Sequence, residues 1–314
     1  MKFDNRFFLV IIGAISLYAI FLFISDYSII SNKIINFKFE YLPIILIFVT
    51  ISWLALFGRW ILLLKLLKIQ IPFRENMKIY FSGFALAITP GKFGEIIKSQ
   101  LMKDKFNIPR TTTAPLLFVE RLYDLVGAVI VSFVGISILG FGIYVIFAAS
   151  IFLVIIFVLI SSRNLFTTFI SVFGKIKYTS RFLIPLSESY EIIRTTTRGK
   201  IIVYASLLSI MYWLIESIGV YFVITSFGFD SINYFEIVSI YSSSLILGGA
   251  SLIPGGIGVT EGSLIGLLNH QGIPLATSFV LVVFIRFFTL WYGVIVGFFA
   301  LKFSGGFSMN KKIN

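Results

Sequence analysis

The chain has no cysteine, so a disulfide framework, a thiolate metal site and a cysteine nucleophile are all excluded. Histidine is nearly absent too, with His270 alone in Asn269-His270-Gln271-Gly272, where it reads as a solvated loop residue. No His-Glu-x-x-His, Gly-x-x-x-x-Gly-Lys or paired-aspartate nucleotide motif occurs, so zinc hydrolysis and nucleotide hydrolysis lack their parts. No metal and no cofactor is expected, and no residue is assigned a catalytic role. Charge is also scarce, at 13% of residues, against 58% hydrophobic and 17% aromatic. That balance describes an all-α integral membrane protein.

The net charge of +12 does not point to nucleic acid, because Lys and Arg gather in short segments between apolar runs, as cytoplasmic loops do. The partner it implies is the anionic inner leaflet. About 20 apolar residues cross a bilayer, and six segments qualify: roughly 7–24, 41–64, 112–138, 141–160, 201–226 and 276–301. The first has the charge and apolar pattern of a signal peptide but no small-x-small cleavage site at Ser25-Asp26-Tyr27, and reads as a retained helix.

Two further apolar segments, roughly 79–101 and 237–270, are broken at their centres. One break reads Thr89-Pro90-Gly91-Lys92-Phe93-Gly94-Glu95, the other Pro254-Gly255-Gly256-Ile257-Gly258-Val259-Thr260-Glu261-Gly262. Proline lacks an N–H and glycine is a poor helix former, and backbone freed at membrane depth must be satisfied by protein or by water in a cavity. Both segments are therefore expected as re-entrant helical hairpins. Lys65, Lys68, Arg74 and Lys78 before the first, and Lys98, Lys103, Lys105 and Arg110 after it, place both its flanks on the cytoplasmic side. The polar stretch 161–200, with seven basic residues, is expected inside, whereas Gly140-Phe141-Gly142 and Phe227 to Glu236 carry no Lys or Arg and are expected outside. The second hairpin would thus enter from the opposite face.

The expected organisation is one transmembrane domain over 1–314: a first helix at 7–24, one repeat at 41–138, a linking helix and basic loop at 141–200, and an inverted repeat at 201–301, with both termini cytoplasmic. Register supports the pairing, since Arg121 lies 31 residues after Pro90 and Arg286 lies 32 after Pro254. Paired interrupted helices in inverted repeats point to a binding site near the midplane.

Arg121 and Arg286 lie about ten residues into their spans, roughly 15 Å deep, where an unpaired charge costs about 2.5 to 3.5 kcal/mol. Two readings stand side by side. In one, Arg121, Arg286 and Lys92 receive an anionic group, aided by free backbone N–H groups at the breaks. In the other they form interhelical ion pairs, Arg121 with Glu261 for example, that hold the repeats together. Glu120 and Asp124 share a helical face, and Asp124, three residues from Arg121, can neutralise it. Thr289 replaces that carboxylate in the second repeat, so Arg286 is expected to be the less neutralised. Glu95 and Lys98 can pair, Glu216 lies inside a span, and Arg59 is expected to snorkel.

These motifs, with Glu120-Arg121-Leu122-Tyr123-Asp124 and Arg286 in their places, resemble the lysylphosphatidylglycerol synthase transmembrane-region family, which includes the flippase half of the multiple peptide resistance proteins and stand-alone flippase-like prokaryotic relatives. The resemblance covers about 5–305. It implies a lipid flippase in the cell membrane, moving a phospholipid or polyprenyl-linked intermediate with a charged or modified head group, and it is compatible with a homodimer. Thr89, Pro90, Gly91, Lys92, Gly94, Glu95, Lys98, Glu120, Arg121, Asp124, Glu216, Pro254, Gly255, Gly256, Gly258, Thr260, Glu261 and Arg286 are the candidate substrate-binding residues. The alternatives are an intramembrane transferase acting on a polyprenyl phosphate and a secondary transporter for a small anion.

Overall fold

The computed structural model describes residues 37–134, 142–173 and 189–305. Among them every regular element is helical. After a turn at Phe39–Tyr41, α1 runs Leu42–Leu66 with a proline in its first turn, where the missing N–H costs nothing. Next come α2 (Phe73–Ser82), a 3-10 segment Gly83–Leu86, a second 3-10 segment Pro90–Ile96 and α3 (Ile97–Phe106), then α4 (Pro115–Ser132). They are followed by α5 (Gly142–Ser161), α6 (Arg163–Phe173), α7 (Tyr190–Thr196) and α8 (Lys200–Ser226). The last third holds α9 (Tyr234–Ala250), a 3-10 turn Pro254–Gly256, α10 (Val259–His270), α11 (Leu275–Arg286), a π turn Phe287–Trp291 and α12 (Tyr292–Phe303).

Among the described residues, four helical stretches are long and apolar enough to cross a membrane: Phe39–Leu66, Ile143–Ser161, Lys200–Ser226 and Leu275–Phe303. They coincide with four of the six expected spans, and the chain is a multi-pass membrane protein. The expected span at 7–24 lies outside the described residues, as do 135–141, with Gly140 and Phe141 of the expected outer segment, and 174–188 of the expected basic stretch 161–200. The remaining one, 112–138, differs: α4 has 18 residues and carries Glu120, Arg121 and Asp124 in its first ten, so it is too charged to count as a span by apolarity alone. The polar stretch 161–200 is no plain loop either, because it contains α6 and α7. His270 ends α10 rather than lying in a loop, and it is exposed.

Without a hydrophobic driving force between helices in lipid, close packing must come from small residues and shape. The most extensive helix pair is α1 with α8. There a Cβ on Gly219 would lie 2.9 Å from the Val49 side chain, so only glycine allows this approach. The other main contacts cross over between the two parts of the chain. α4 packs on α9, where Ser132 and Ser242 hydroxyls share a hydrogen bond of 2.6 Å. α12 packs on α2 and the Gly83–Leu86 segment, where a Cβ at Gly297 would collide with the Phe84–Ala85 backbone. The tryptophans repeat this exchange. Trp53 of α1 leans on Gly293 of α12, and Trp213 of α8 leans on Gly127 of α4 while donating its indole N–H to the Asp124 carbonyl at 2.9 Å.

Candidate functional site

Both Pro-Gly breaks interrupt helix, as the residues require. In the first, the Thr89 hydroxyl donates to the Leu86 carbonyl at 2.7 Å and accepts the Gly94 N–H at 2.6 Å, closing the turn with a side chain where helix bonds are missing. Pro90 and Gly91 open the 3-10 helix that carries Lys92, Gly94 and Glu95. A Cβ on Gly94 would come within 2.4 Å of the Leu86 side chain, which excludes any larger residue. In the second break Gly255, Gly256 and Gly258 all take positive φ, of 63°, 66° and 90°. Left-handed backbone of this kind costs L-residues about 1–2 kcal/mol each. The Thr260 hydroxyl fills the space above Gly256, where a Cβ would lie 2.6 Å from it. The Pro254–Gly256 turn packs against the Pro90–Ile96 helix, so the two breaks meet.

Each break then receives an arginine from a later helix, Arg121 from α4 and Arg286 from α11. Arg286 donates from Nε to Glu261 at 2.7 Å and from Nη2 to the Gly255 carbonyl. The other Glu261 oxygen accepts the Gly258 N–H at 2.6 Å, tying the start of α10 to the same carboxylate. Arg286 and Glu261 are both almost wholly buried. As expected, Arg286 has fewer carboxylates than Arg121, one against two, and its own helix supplies none: the fold returns Glu261, 25 residues upstream, to its side.

At the first break the charges form a chain. Lys98 reaches Glu95 at 2.9 Å and Glu120 at 2.7 Å, with its ammonium over the rings of Trp60 and Tyr80 at 5.0 and 4.8 Å. Arg121 reaches Glu95 at 3.4 Å and Asp124 at 2.9 Å. Asp124 in turn meets Arg59 at 2.7 Å, an ion pair by distance without an aligned hydrogen bond, and Arg59 donates to Ser209 at 2.6 Å. Arg59 does not snorkel. Its side chain is fully buried because α8 closes over it with Ser209, and its sequence position near the end of α1 gave no sign of that neighbour. Arg121 pairs with Glu95 and Asp124 and not, as one reading had it, with Glu261.

The two arginines differ in access. Arg121 keeps 27% of its side chain exposed, against 3% for Arg286. Lys92, half-buried at a φ of 56°, has no carboxylate within ion-pair distance among the described residues. Glu216, buried on α8, accepts the Tyr241 hydroxyl at 3.0 Å and lies in the electrostatic neighbourhood of Lys92 and Asp124. The expected site residues thus gather at two touching breaks, with Glu216 beside the first. Sequence reasoning missed Ser209, Tyr241, Tyr80 and Trp60, since uncharged residues in apolar helices give no signal of what they face.

A family model described as "Lysylphosphatidylglycerol synthase TM region" matches residues 9–297. Among curated proteins, the chain is 28% identical over 129 residues to a UPF0104 membrane protein of Methanothermobacter thermautotrophicus, covering 41% of this chain and 38% of that relative. It is 27% identical over 225 residues to the UPF0104 membrane protein MJ1078 of Methanocaldococcus jannaschii, covering 68% of this chain and 91% of that relative.

Proposed function

We propose that this chain, which belongs to the lysylphosphatidylglycerol synthase TM region family, is a translocator that moves lipids with charged or modified head groups between leaflets. The family is tied to lipid modification or translocation, and the observation that carries the choice of translocation is the meeting of the two breaks, each with an arginine–glutamate pair whose arginine comes from a later helix. We read each break as a re-entrant hairpin and the two parts of the chain, 41–138 and 201–301, as inverted repeats. The crossed packing of Trp53 on Gly293 and Trp213 on Gly127 supports that reading, since an approximate symmetry exchanging the repeats relates the two contacts. In this scheme the head group passes the touching breaks while the acyl or prenyl chains stay in lipid, and Arg121 takes its phosphate. Buried charge in a membrane protein is costly and marks function by default.

The test is a liposome assay with fluorescent phosphatidylglycerol and a membrane-impermeant quencher, comparing wild type with Arg121→Ala. Accelerated exchange between leaflets that falls at least about tenfold in the variant is expected; in energy terms that is about 1.4 kcal/mol. Movement as fast in Arg121→Ala as in wild type overturns the site. Uptake of a soluble anion regardless of lipid identity replaces the translocator with an anion carrier.

A further inference from the structure

Not every charge around the first break has an ion-pair partner among the described residues. Arg59, Lys98 and Arg121 are matched by Glu95, Glu120 and Asp124 in one continuous chain of ion pairs. Lys92 is left over. Its ammonium shares a neighbourhood with Arg121, a like charge, and with Asp124, Glu95 and Glu216. Asp124 and Glu95 are already committed to Arg121, so Glu216 is the carboxylate free to answer it. Yet Glu216 has no cation within ion-pair distance among the described residues and is held by the Tyr241 hydroxyl. Lys92 also sits at positive φ, a strained position for a non-glycine residue that persists where function fixes it.

We infer that the first break selects an anionic head group, a phosphate or phosphodiester, with Lys92 and Arg121 as its two ligands and Glu216 as the internal anion that competes with it. This rests on the translocator reading for taking the ligand to be a lipid. Arg121 offers a planar fork and partial exposure, and Lys92 a point charge without a counter-ion; together they suit two phosphate oxygens. Arg286 takes no part, because Glu261 and the Gly255 carbonyl occupy it. The bound anion would give Lys92 the counter-ion that it lacks. A head group that also carries a cation would set it against Lys92 and Arg121, and like-charge placement is how such sites reject wrong partners.

The experiment measures binding of fluorescent phosphatidylglycerol against fluorescent phosphatidylcholine to the full chain in nanodiscs. Wild type should prefer phosphatidylglycerol. Lys92→Gln should weaken that preference about tenfold and Lys92→Arg should retain it, whereas Glu216→Gln should strengthen it, since the competitor is gone. Opposite signs from two substitutions at one place are the signature, because general damage lowers binding in both. An unchanged preference in Lys92→Gln, or a loss in both variants, overturns the inference. Displacement of the lipid by millimolar inorganic phosphate overturns the lipid assignment and makes a free anion the ligand. The liposome assay separates the two claims: leaflet exchange without charge preference breaks only this inference, and charge preference without exchange breaks only the translocator.

Discussion

The two central arginines occupy corresponding places and are held differently. Arg286 is fixed by a carboxylate that also caps the start of α10 and by a carbonyl of the glycine turn, so it works as a clamp on the second break. Arg121 shares its carboxylates with other cations in a chain of six charges and keeps part of its surface open. A closed pair stabilises geometry, and a shared, partly open one can exchange partners. The difference teaches that two arginines at nearly the same spacing from a Pro-Gly break need not be held alike.

The comparison breaks most severely at Lys98. Replacing it with Met strands Glu120 in a buried site and leaves Glu95 with Arg121 alone, and removing one partner of a buried pair costs about 3–5 kcal/mol. A large drop in thermal stability in detergent is expected, and the double change Lys98→Met with Glu120→Gln should recover part of it. Next is Gly256→Ala, where a Cβ would meet Thr260 at 2.6 Å on backbone at positive φ. About 1–3 kcal/mol of destabilisation is expected in the same assay. If Gly94→Ala costs as little as an exposed substitution, the close approach at the first break is wrong.

Lysine substitution sharpens the contrast between the arginines. Arg286→Lys cannot reach both Glu261 and the Gly255 carbonyl in the same geometry, so it should lower stability by about 1–3 kcal/mol. Arg121→Lys should leave melting closer to wild type and show its effect in lipid exchange; equal melting losses would erase the distinction. The smallest effect lies at the start of α2. There Glu75 accepts from Lys105 and Lys78, and these contacts hold its carboxyl below the usual range. Its contribution is present above the ordinary glutamate pKa and is lost as pH falls through the lowered folded value. For so exposed a pair it amounts to about 0.2–1 kcal/mol. Glu75→Gln should lower stability by that much near neutral pH and change little at acid pH, where the wild type has already lost the contribution, so the acid limb of the melting curve flattens.

Much of the site was legible because the membrane makes charge conspicuous. A carboxylate or guanidinium within an apolar run is expensive, so Glu95, Glu120, Arg121, Asp124, Glu216, Glu261 and Arg286 stood out before any contact was known. Local pairs followed from spacing alone: Lys98 with Glu95, and Arg121 with Asp124, each three residues apart. The partners of Arg59 and Arg286 did not follow, because Ser209 lies 150 residues from one and Glu261 lies 25 from the other, across a break whose direction only folding sets.

Composition and local chemistry by themselves determined a multi-pass helical membrane chain and two breaks, because missing N–H groups and poor helix formers act wherever they stand. Only tertiary structure decided that the breaks touch, that tryptophans cross between the two parts, and that one arginine is locked while the other stays partly open. Those outcomes depend on which distant helices a glycine or serine face lets approach, and a one-dimensional pattern does not contain that distance.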